Sequence, residues 1–357
     1  MSTVIETDAL VIGAGPVGLF QVFQLGLQGI KAQVVDVLDE AGGQCIELYA
    51  DKPIYDIPAL PSCTGRQLTQ RLLQQIAPFS PDFHFGQQVS ALQQTDGRWL
   101  ATCRRTHTPA LQFLTRSVFI AAGVGAFVPK ELKVDGLAEF AGTQLFYRAQ
   151  PPEQFAGQEV LIVGGEDAAV ASAITLAAPG PQQARRVTVL HRRDVMQADA
   201  SALQRFATLR KAGLIHFVAG WVNTIQTRGE RLTAVQIGTP DDGAATIPLD
   251  RLLVCQGISP KLGPVADWGL AMERKQLCVN PETFATSAPG VYAVGDVVTY
   301  PGKKKLIVCG FHEATLAAFA AAQQLYPQDS GVLQYTTSSA LLQQRLGVGH
   351  AAGTKSP

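Results

Sequence analysis

Two glycine-rich turns stand out in the sequence, each placed between an apolar run and a helical pattern. The first, Gly13-Ala14-Gly15-Pro16-Val17-Gly18, follows ALVIG and opens the stretch GLFQVFQLGLQG. In this spacing the first glycine permits a tight bend, the second admits phosphates to backbone amides, and the third lets the helix pack closely. Asp36 ends the next apolar run, where a carboxylate can accept a hydrogen bond from a ribose hydroxyl. The pattern predicts a dinucleotide site, and a ligand-free structural turn is the weaker alternative.

The second turn departs from this pattern at one position. It reads Gly164-Gly165-Glu166-Asp167-Ala168-Ala169 after the run VLIVGG, so a carboxylate stands where the first turn has a glycine. Like charges about 4 Å apart repel by roughly 4 kcal/mol at an effective dielectric constant near 20. A carboxylate is also favourable at a helix N-terminus, so Glu166 could occupy the place of a phosphate. The sequence predicts a nucleotide-type fold here and leaves its binding competence open.

The residues after the next apolar run bear on the same question. His191-Arg192-Arg193 ends this run, RVTVLHRRD, and arginines there can hold the 2′-phosphate that distinguishes NADP from NAD. A solvated strand end explains Arg192 and Arg193 equally well. Both interpretations stay open.

A late Gly-Asp pair favours one dinucleotide for the first turn. Gly295-Asp296 ends the run GVYAVGD and precedes the helical stretch GFHEATLAAFAAAQQL. A carboxylate there can bind the ribityl chain of a flavin, and the helix can direct its N-terminus towards the flavin. Alone, the pair is equally well explained as a helix cap. Together with the first turn it favours FAD.

Short β-branched runs alternate with glycine turns and helical patterns along the chain, as is typical of α/β proteins. A strand–turn–helix unit begins at residue 9 and again at residue 160. The chain has 357 residues, which suits two domains. We therefore expect an FAD-binding domain formed by residues 1–120 and 285–357, the latter with a C-terminal tail. We expect an NAD(P)H-binding domain at 121–284.

Composition excludes several classes of protein. Lys plus Arg and Asp plus Glu both number 29, so the formal net charge of zero argues against a nucleic-acid partner. No run reaches the roughly 18 apolar residues of a membrane span, and the N-terminus lacks a basic leader. The six cysteines form no C-x-x-C pair and no metal-ligand spacing. These features predict a cytoplasmic protein with buried thiols, no metal and no membrane association.

Longer stretches are more specific than either glycine turn. They are DEAGGQCIELYADKPIYDIPA (39–59), AAGVGAFVPKEL (121–132), LGPVADWGL (262–270) and the VYAVGD to KKKLIVCGFHEAT region (291–315). With these stretches nearly the whole chain resembles the thioredoxin-reductase-like ferredoxin–NADP reductases of bacteria. The resemblance implies two Rossmann-like domains of three-layer ββα type, FAD, NADPH, a homodimer, and ferredoxin or flavodoxin as partner.

The resemblance also implies site residues. It implies that Tyr49 stacks on the isoalloxazine ring and acts in catalysis. It implies further FAD contacts from Gly13, Gly15, Pro16, Val17, Gly18, Asp36, Gln44, Val89, Phe127, Asp296 and a hydroxyl near Ser338. It implies NADPH contacts from Gly164, Gly165, Arg192 and Arg193. Relatives usually have an arginine where this chain has Gln197, and some place a ring-bearing residue where Thr337 aligns.

Two absences bear on the chemistry. The disulfide reductases similar to this chain carry two cysteines either before the second turn or beside the flavin. Here the first segment, YRAQPPEQFAG, has no cysteine, and Cys45 has Ala50 at the partner position. Without a dithiol there is no disulfide exchange to relay electrons. Cys45 is expected to be a packing residue, and electrons should leave the flavin directly.

The sequence thus predicts an FAD-dependent ferredoxin–NADP(+) reductase. Lysines 303–305, with Lys130 and Lys133, could dock an acidic carrier, although a solvated surface explains them equally well. The main alternative is an FAD-binding electron-transfer or sensing module that has lost productive NADPH binding through Glu166. A flavin oxidoreductase with a quinone or oxygen acceptor is a third possibility.

Overall fold

The computed structural model describes residues 3–104, 110–241, 243–328 and 333–348. The chain forms two compact units: unit 1 comprises Met1–Ala126 with Pro260–Pro357, and unit 2 comprises Phe127–Ser259. The predicted C-terminal tail lies outside the described residues from position 349 onwards.

The strands, in chain order, are β1 (Thr3–Ile12), β2 (Ala32–Val35), β3 (Pro53–Ile54), β4 (Cys63–Thr64), β5 (Asp82–His84), β6 (Gln88–Thr95), β7 (Arg98–Arg104), β8 (Leu111–Ile120), β9 (Ala126–Pro129), β10 (Leu145–Phe146), β11 (Glu159–Val163), β12 (Arg186–His191), β13 (Ile215–Ala219), β14 (Trp221–Arg228), β15 (Arg231–Gly238), β16 (Ala244–Pro248), β17 (Arg251–Val254), β18 (Ile258–Lys261), β19 (Met272–Glu273), β20 (Gln276–Cys278), β21 (Val291–Ala293) and β22 (Val298–Thr299).

The α-helices are α1 (Pro16–Leu27), α2 (Gln44–Glu47), α3 (Gly65–Ile76), α4 (Asp167–Ala177), α5 (Ala200–Lys211), α6 (Ile307–Leu325) and α7 (Ala340–Arg345). Short 3-10 helices lie at Ala77–Phe79, Leu137–Phe140, Pro152–Phe155, Gly263–Asp267 and Gly295–Val297.

Unit 1 is built on a sheet whose strand order is β5-β2-β1-β8-β7-β6. β5, β2, β1 and β8 are parallel, β7 and β6 continue as an antiparallel ribbon, and β21 pairs in parallel with the end of β8. The register aligns Ile12 with Val35 and Ile120, and Ile120 with Ala293. Four parallel strands therefore end together at one sheet edge, where ligands bind in open α/β sheets.

Unit 1 resumes at Pro260, earlier than the boundary at 285 expected from the sequence. The reason is packing. Val265, Leu270 and Leu277 are buried in the same apolar cluster as Leu10 and Val118 of the central strands. Polar residues lie between these apolar residues in the sequence, so no continuous apolar pattern predicted that they are buried in unit 1.

Unit 2 contains a parallel sheet of order β10-β17-β11-β12-β13 and an antiparallel sheet of order β14-β15-β16. The apolar runs VLIVGG and RVTVLHRRD, predicted from the sequence, lie in β11 and β12. Val163 aligns with Leu190 and with Val254, so β11, β12 and β17 also end at one edge. α4 begins at Asp167, within the second glycine turn, and buries Ala169, Val170 and Ala173 against this sheet.

Candidate functional site

The glycines of the first turn have different structural roles. A Cβ on Gly13, whose φ is +109°, would lie 2.4 Å from the carbonyl oxygen of Ala121, and one on Gly18 would lie 1.8 Å from the oxygen of Gly13. Both positions therefore require glycine for folding. A Cβ on Gly15 would meet only the Cα of Gly43, at 3.9 Å. The space beside Gly15, at the N-terminus of α1, is open, as a phosphate requires.

Asp36 is tied to this turn. Its Oδ2 accepts a hydrogen bond from Ala14 N at 2.6 Å, and its Oδ1 accepts one from Leu38 N at 2.8 Å. Burial raises the pKa of the Asp36 carboxyl, and these backbone bonds oppose the shift. A carboxylate offers about four acceptor positions, so the group can still accept from a ribose hydroxyl.

The chain then returns to the turn at Gly42–Gly43. Gly42 N donates to Ala14 O at 2.9 Å, and a Cβ on Gly43 would lie 2.9 Å from Gly15 Cα. Gly43 was not predicted as a site residue, although the two adjacent glycines before Gln44 are visible in the sequence. The next residue, Gln44, donates from Nε2 to Asp296 Oδ2 at 3.2 Å. The predicted flavin residues Gln44 and Asp296 therefore lie together beside the first turn.

Tyr49 and Cys45 form the adjoining side of this site. The Cys45 Sγ lies 3.6 Å from the Tyr49 hydroxyl, and Cys45 is 0% exposed. Burial raises the pKa of the Cys45 thiol, and it raises the pKa of Tyr49, which the charges of Cys45 and Asp296 raise further. All six cysteines are free. Cys45 is therefore the buried packing thiol that the sequence predicted.

The other predicted FAD residues are placed as follows. Pro16 is the first residue of α1, and the Val17 side chain lies 3.5 Å from where a Cβ on Gly295 would be. Val89 is buried, and the ladder of β6 is irregular immediately after it, as is common beside binding sites. Ser338 lies in an exposed turn before α7. The side chain of Phe127 lies outside the described residues.

The second turn keeps the backbone of the first. Gly164 is as crowded as Gly13, because its Cβ would lie 2.2 Å from Cys255 O. Glu166 is the N-cap of α4 with φ −106° and ψ 179°, and Gly15 is the N-cap of α1 with φ −69° and ψ 177°. The Cβ of Glu166 therefore occupies the space in the second turn that corresponds to the open space beside Gly15 in the first. Its carboxylate is exposed and is not a hydrogen-bonded helix cap.

Basic groups surround this turn. A Cβ on Gly257 would lie 3.5 Å from Glu166 Oε2 and 3.9 Å from Lys130 Nζ, so these side chains are neighbours. The His191 ring packs on Gly165. Its pKa is lowered by burial and by Arg193 and Arg192, whereas Glu166 opposes the shift.

Arg192 and Arg193 are both exposed, immediately after β12. The position predicted for an arginine, Gln197, donates its backbone N–H to Gly165 O at 2.8 Å. The second unit therefore offers cationic side chains at the strand end, together with one carboxylate at the turn.

Two features of the first unit were not expected. Glu313 of α6 is 0% exposed and accepts from Gly295 N at 2.6 Å. It also forms an ion pair with Lys303, whose side chain is 7% exposed. The interpretation of Lys303 as part of a docking patch is therefore wrong, because its charge is internal. A single acidic residue within an alanine-rich helix was the signal for Glu313.

No helix among the described residues is long and apolar enough to cross a membrane. Within those same residues, no group of three or more His, Cys, Asp or Glu side chains could hold a metal ion.

Two Rossmann-like units, each with a glycine turn at its strand edge, define a dinucleotide-dependent oxidoreductase. The family model for pyridine nucleotide-disulphide oxidoreductases matches residues 7–323, and the chain belongs to this family. It is 56% identical to a ferredoxin–NADP reductase of Paracidovorax citrulli, over 98% of each chain. It is 54% identical to one of Verminephrobacter eiseniae, over 99% of this chain and 100% of the relative. Recognition of the ferredoxin–NADP reductase type from the sequence is confirmed.

Solved structures agree on the fold. Thioredoxin reductase of T. acidophilum matches with a TM-score of 0.59 at 20% identity, covering 90% of this chain and 99% of that one. Bacillithiol disulfide reductase of Staphylococcus aureus matches with a TM-score of 0.62 at 17% identity, covering 91% and 99%. The predicted thioredoxin-reductase-like fold is confirmed.

Proposed function

We propose that this enzyme is an FAD-dependent ferredoxin–NADP(+) reductase. The observation that carries the proposal is Cys45, which lies beside the flavin residues as a buried, unpaired thiol with Ala50 at the partner position. A disulfide reductase needs an accessible dithiol either at that place or before the second turn, where the segment YRAQPPEQFAG has no cysteine. The relatives at 54% and 56% identity are named ferredoxin–NADP reductase.

The predicted site residues of the first unit fit FAD. Gly15 leaves room for the pyrophosphate at the N-terminus of α1, and Asp36 accepts from the ribose. Asp296, held by Gln44, accepts from the ribityl chain. Tyr49 presents an aromatic ring to the flavin, and burial raises the pKa of its hydroxyl. When bound, FAD supplies the coupling between a two-electron donor and a one-electron acceptor.

The second unit binds NADPH in this proposal. Gly164 and Gly165 form the turn at α4, and Arg192 and Arg193 contact the 2′-phosphate. Glu166 lowers the affinity without abolishing it. Its extended backbone needs no glycine, and its exposed carboxylate can turn towards solvent or towards Lys130.

The electron partner is an acidic one-electron carrier, ferredoxin or flavodoxin. Lys304 and Lys305 are exposed, unlike Lys303, and they supply the cationic surface in unit 1. We further propose a homodimer, supported by exposed apolar side chains near the C-terminus such as Leu333 and Tyr335, which are 58% and 63% exposed. Analytical ultracentrifugation tests the dimer. A cytoplasmic location is proposed from the sequence and can be checked by cell fractionation.

The deciding experiment is anaerobic mixing of the yellow protein with NADPH, followed by addition of ferredoxin. Fast bleaching of the flavin absorbance and ferredoxin-dependent reoxidation are expected. No bleaching at millimolar NADPH would instead support the alternative favoured by Glu166, an FAD protein without productive nucleotide binding. Bleaching with reoxidation only by a quinone or oxygen would refute ferredoxin as the partner.

A further inference from the structure

Glu313 is a buried carboxylate whose three hydrogen-bond donors all come from one short segment. Its Oε2 accepts from Gly295 N at 2.6 Å, and its Oε1 accepts from the Tyr300 hydroxyl at 2.8 Å and from Lys303 Nζ. Glu313 is 0% exposed. The segment between the first and last donors contains Asp296, the carboxylate that the proposed function assigns to the flavin.

Stability alone does not explain this arrangement. Removing two charges from water costs about as much as their attraction returns, so a buried ion pair contributes little net stability. Such a pair instead fixes the relative position of the two elements that carry it, because each charged group requires its partner in one place. Here the pair fixes the position of residues 295–303 against α6.

The backbone around Asp296 confirms how closely this segment is held. Gly295 has φ +84°, a left-handed conformation in which its N–H meets the Glu313 carboxylate. Gln276 Nε2 donates to the Asp296 carbonyl oxygen at 3.2 Å and to that of Val298 at 2.8 Å. The Asp296 side chain is therefore presented from a peptide fixed on both sides.

We propose that Glu313 and Lys303 are a positioning pair for the flavin-binding Asp296. The carboxylate of Glu313 fixes the Gly295–Asp296 peptide, and Lys303 supplies the opposite charge, so the site next to the flavin carries no net charge from the pair. This inference rests on the proposed FAD site at Asp296. Both residues act through the Gly295–Asp296 peptide, which Glu313 contacts directly.

If the pair acts in this way, the two single variants shift the flavin midpoint potential in opposite directions, which a purely structural role does not predict. Lys303→Met leaves the negative charge of Glu313 uncompensated, which disfavours adding electrons to the flavin and makes its midpoint potential more negative. Glu313→Gln leaves the positive charge of Lys303 uncompensated and shifts the potential the other way. The double variant is neutral again, and its potential returns towards that of the wild type.

The test measures two quantities on each variant: FAD affinity, by fluorescence titration of the apoprotein, and flavin midpoint potential, by anaerobic dye equilibration. Either single variant should weaken FAD binding about tenfold or more, as expected when a charged hydrogen-bond partner is lost. Lys31→Met is the matched control, because it removes the same charge from an exposed lysine of unit 1 that has no role in the proposed sites. It should leave both quantities unchanged.

Tyr300→Phe guards against loss of folding, since it keeps both charges and removes one hydrogen bond. It should weaken FAD binding a few-fold without moving the potential. The inference is overturned if both charge variants bind FAD within twofold of the wild type, or if their potentials shift in the same direction. If the wild-type protein binds no FAD, the proposed function is refuted as well. If the wild type is an active reductase and the variants are unaffected, only this inference is refuted.

Discussion

Replacing Glu166 should strengthen NADPH binding, and the two turns explain why. Glu166 and Gly15 are N-caps in the same extended conformation, so the side chain of Glu166 extends into the space that corresponds to the proposed pyrophosphate position at the first turn. Glu166→Gln removes the charge and keeps the bulk. Glu166→Gly removes both. The pair of variants therefore separates repulsion from steric hindrance.

The expected magnitude follows from exposure. Two unit charges about 4 Å apart repel by about 1 kcal/mol in water and about 4 kcal/mol at an effective dielectric constant of 20. The Glu166 carboxylate is exposed, so the lower value applies. With two phosphate charges, Glu166→Gln should tighten NADPH binding about five- to thirtyfold. Raising the salt to 0.5 M, where screening acts over about 4 Å, should remove most of the gain.

The assay is anaerobic stopped-flow reduction of the flavin over a range of NADPH concentrations, which yields the dissociation constant for NADPH. Glu230→Gln is the control, because it removes one exposed carboxylate of unit 2 at the turn between β14 and β15. The reasoning is refuted if Glu166→Gln binds NADPH no more tightly than the wild type at low salt. If only Glu166→Gly binds NADPH more tightly, the effect of Glu166 is steric and not electrostatic.

Three further outcomes are expected. Gly15→Ala should fold normally yet bind FAD at least tenfold more weakly. Gly18→Ala should fail to fold, because a Cβ on Gly18, unlike one on Gly15, would clash with backbone. Melting curves and FAD titration of the apoprotein measure both effects. Removing the charges of Arg192 and Arg193 should raise KM for NADPH about tenfold or more with little effect on KM for NADH. Steady-state kinetics with both nucleotides measure this, and equal changes in the two KM values would contradict the prediction. Lys305→Gln should raise KM for ferredoxin a few-fold at low salt, and an unchanged salt profile would exclude this lysine from docking.

The sequence predicted those features that depend on local patterns. β1 and β11 end in apolar runs, ALVI and VLIV, that are followed by glycines, so their positions could be inferred from residue types alone. The pairing of Glu313 with Lys303 could not, because nothing local distinguishes a buried lysine from its exposed neighbour Lys304. That distinction arises only when α6 packs against the segment after Gly295.

The two turns also show that keeping the fold and keeping the affinity impose different requirements on the same motif. The glycines at Gly13 and Gly164 are required by backbone contacts under 3 Å, so substitution there would break the strand–helix junction. The N-cap position has no such contact and adopts a conformation open to any residue. A substitution at this position therefore leaves the fold intact and acts on the ligand alone. Glu166 is such a change, which is why a well-formed nucleotide unit is compatible with weakened nucleotide binding.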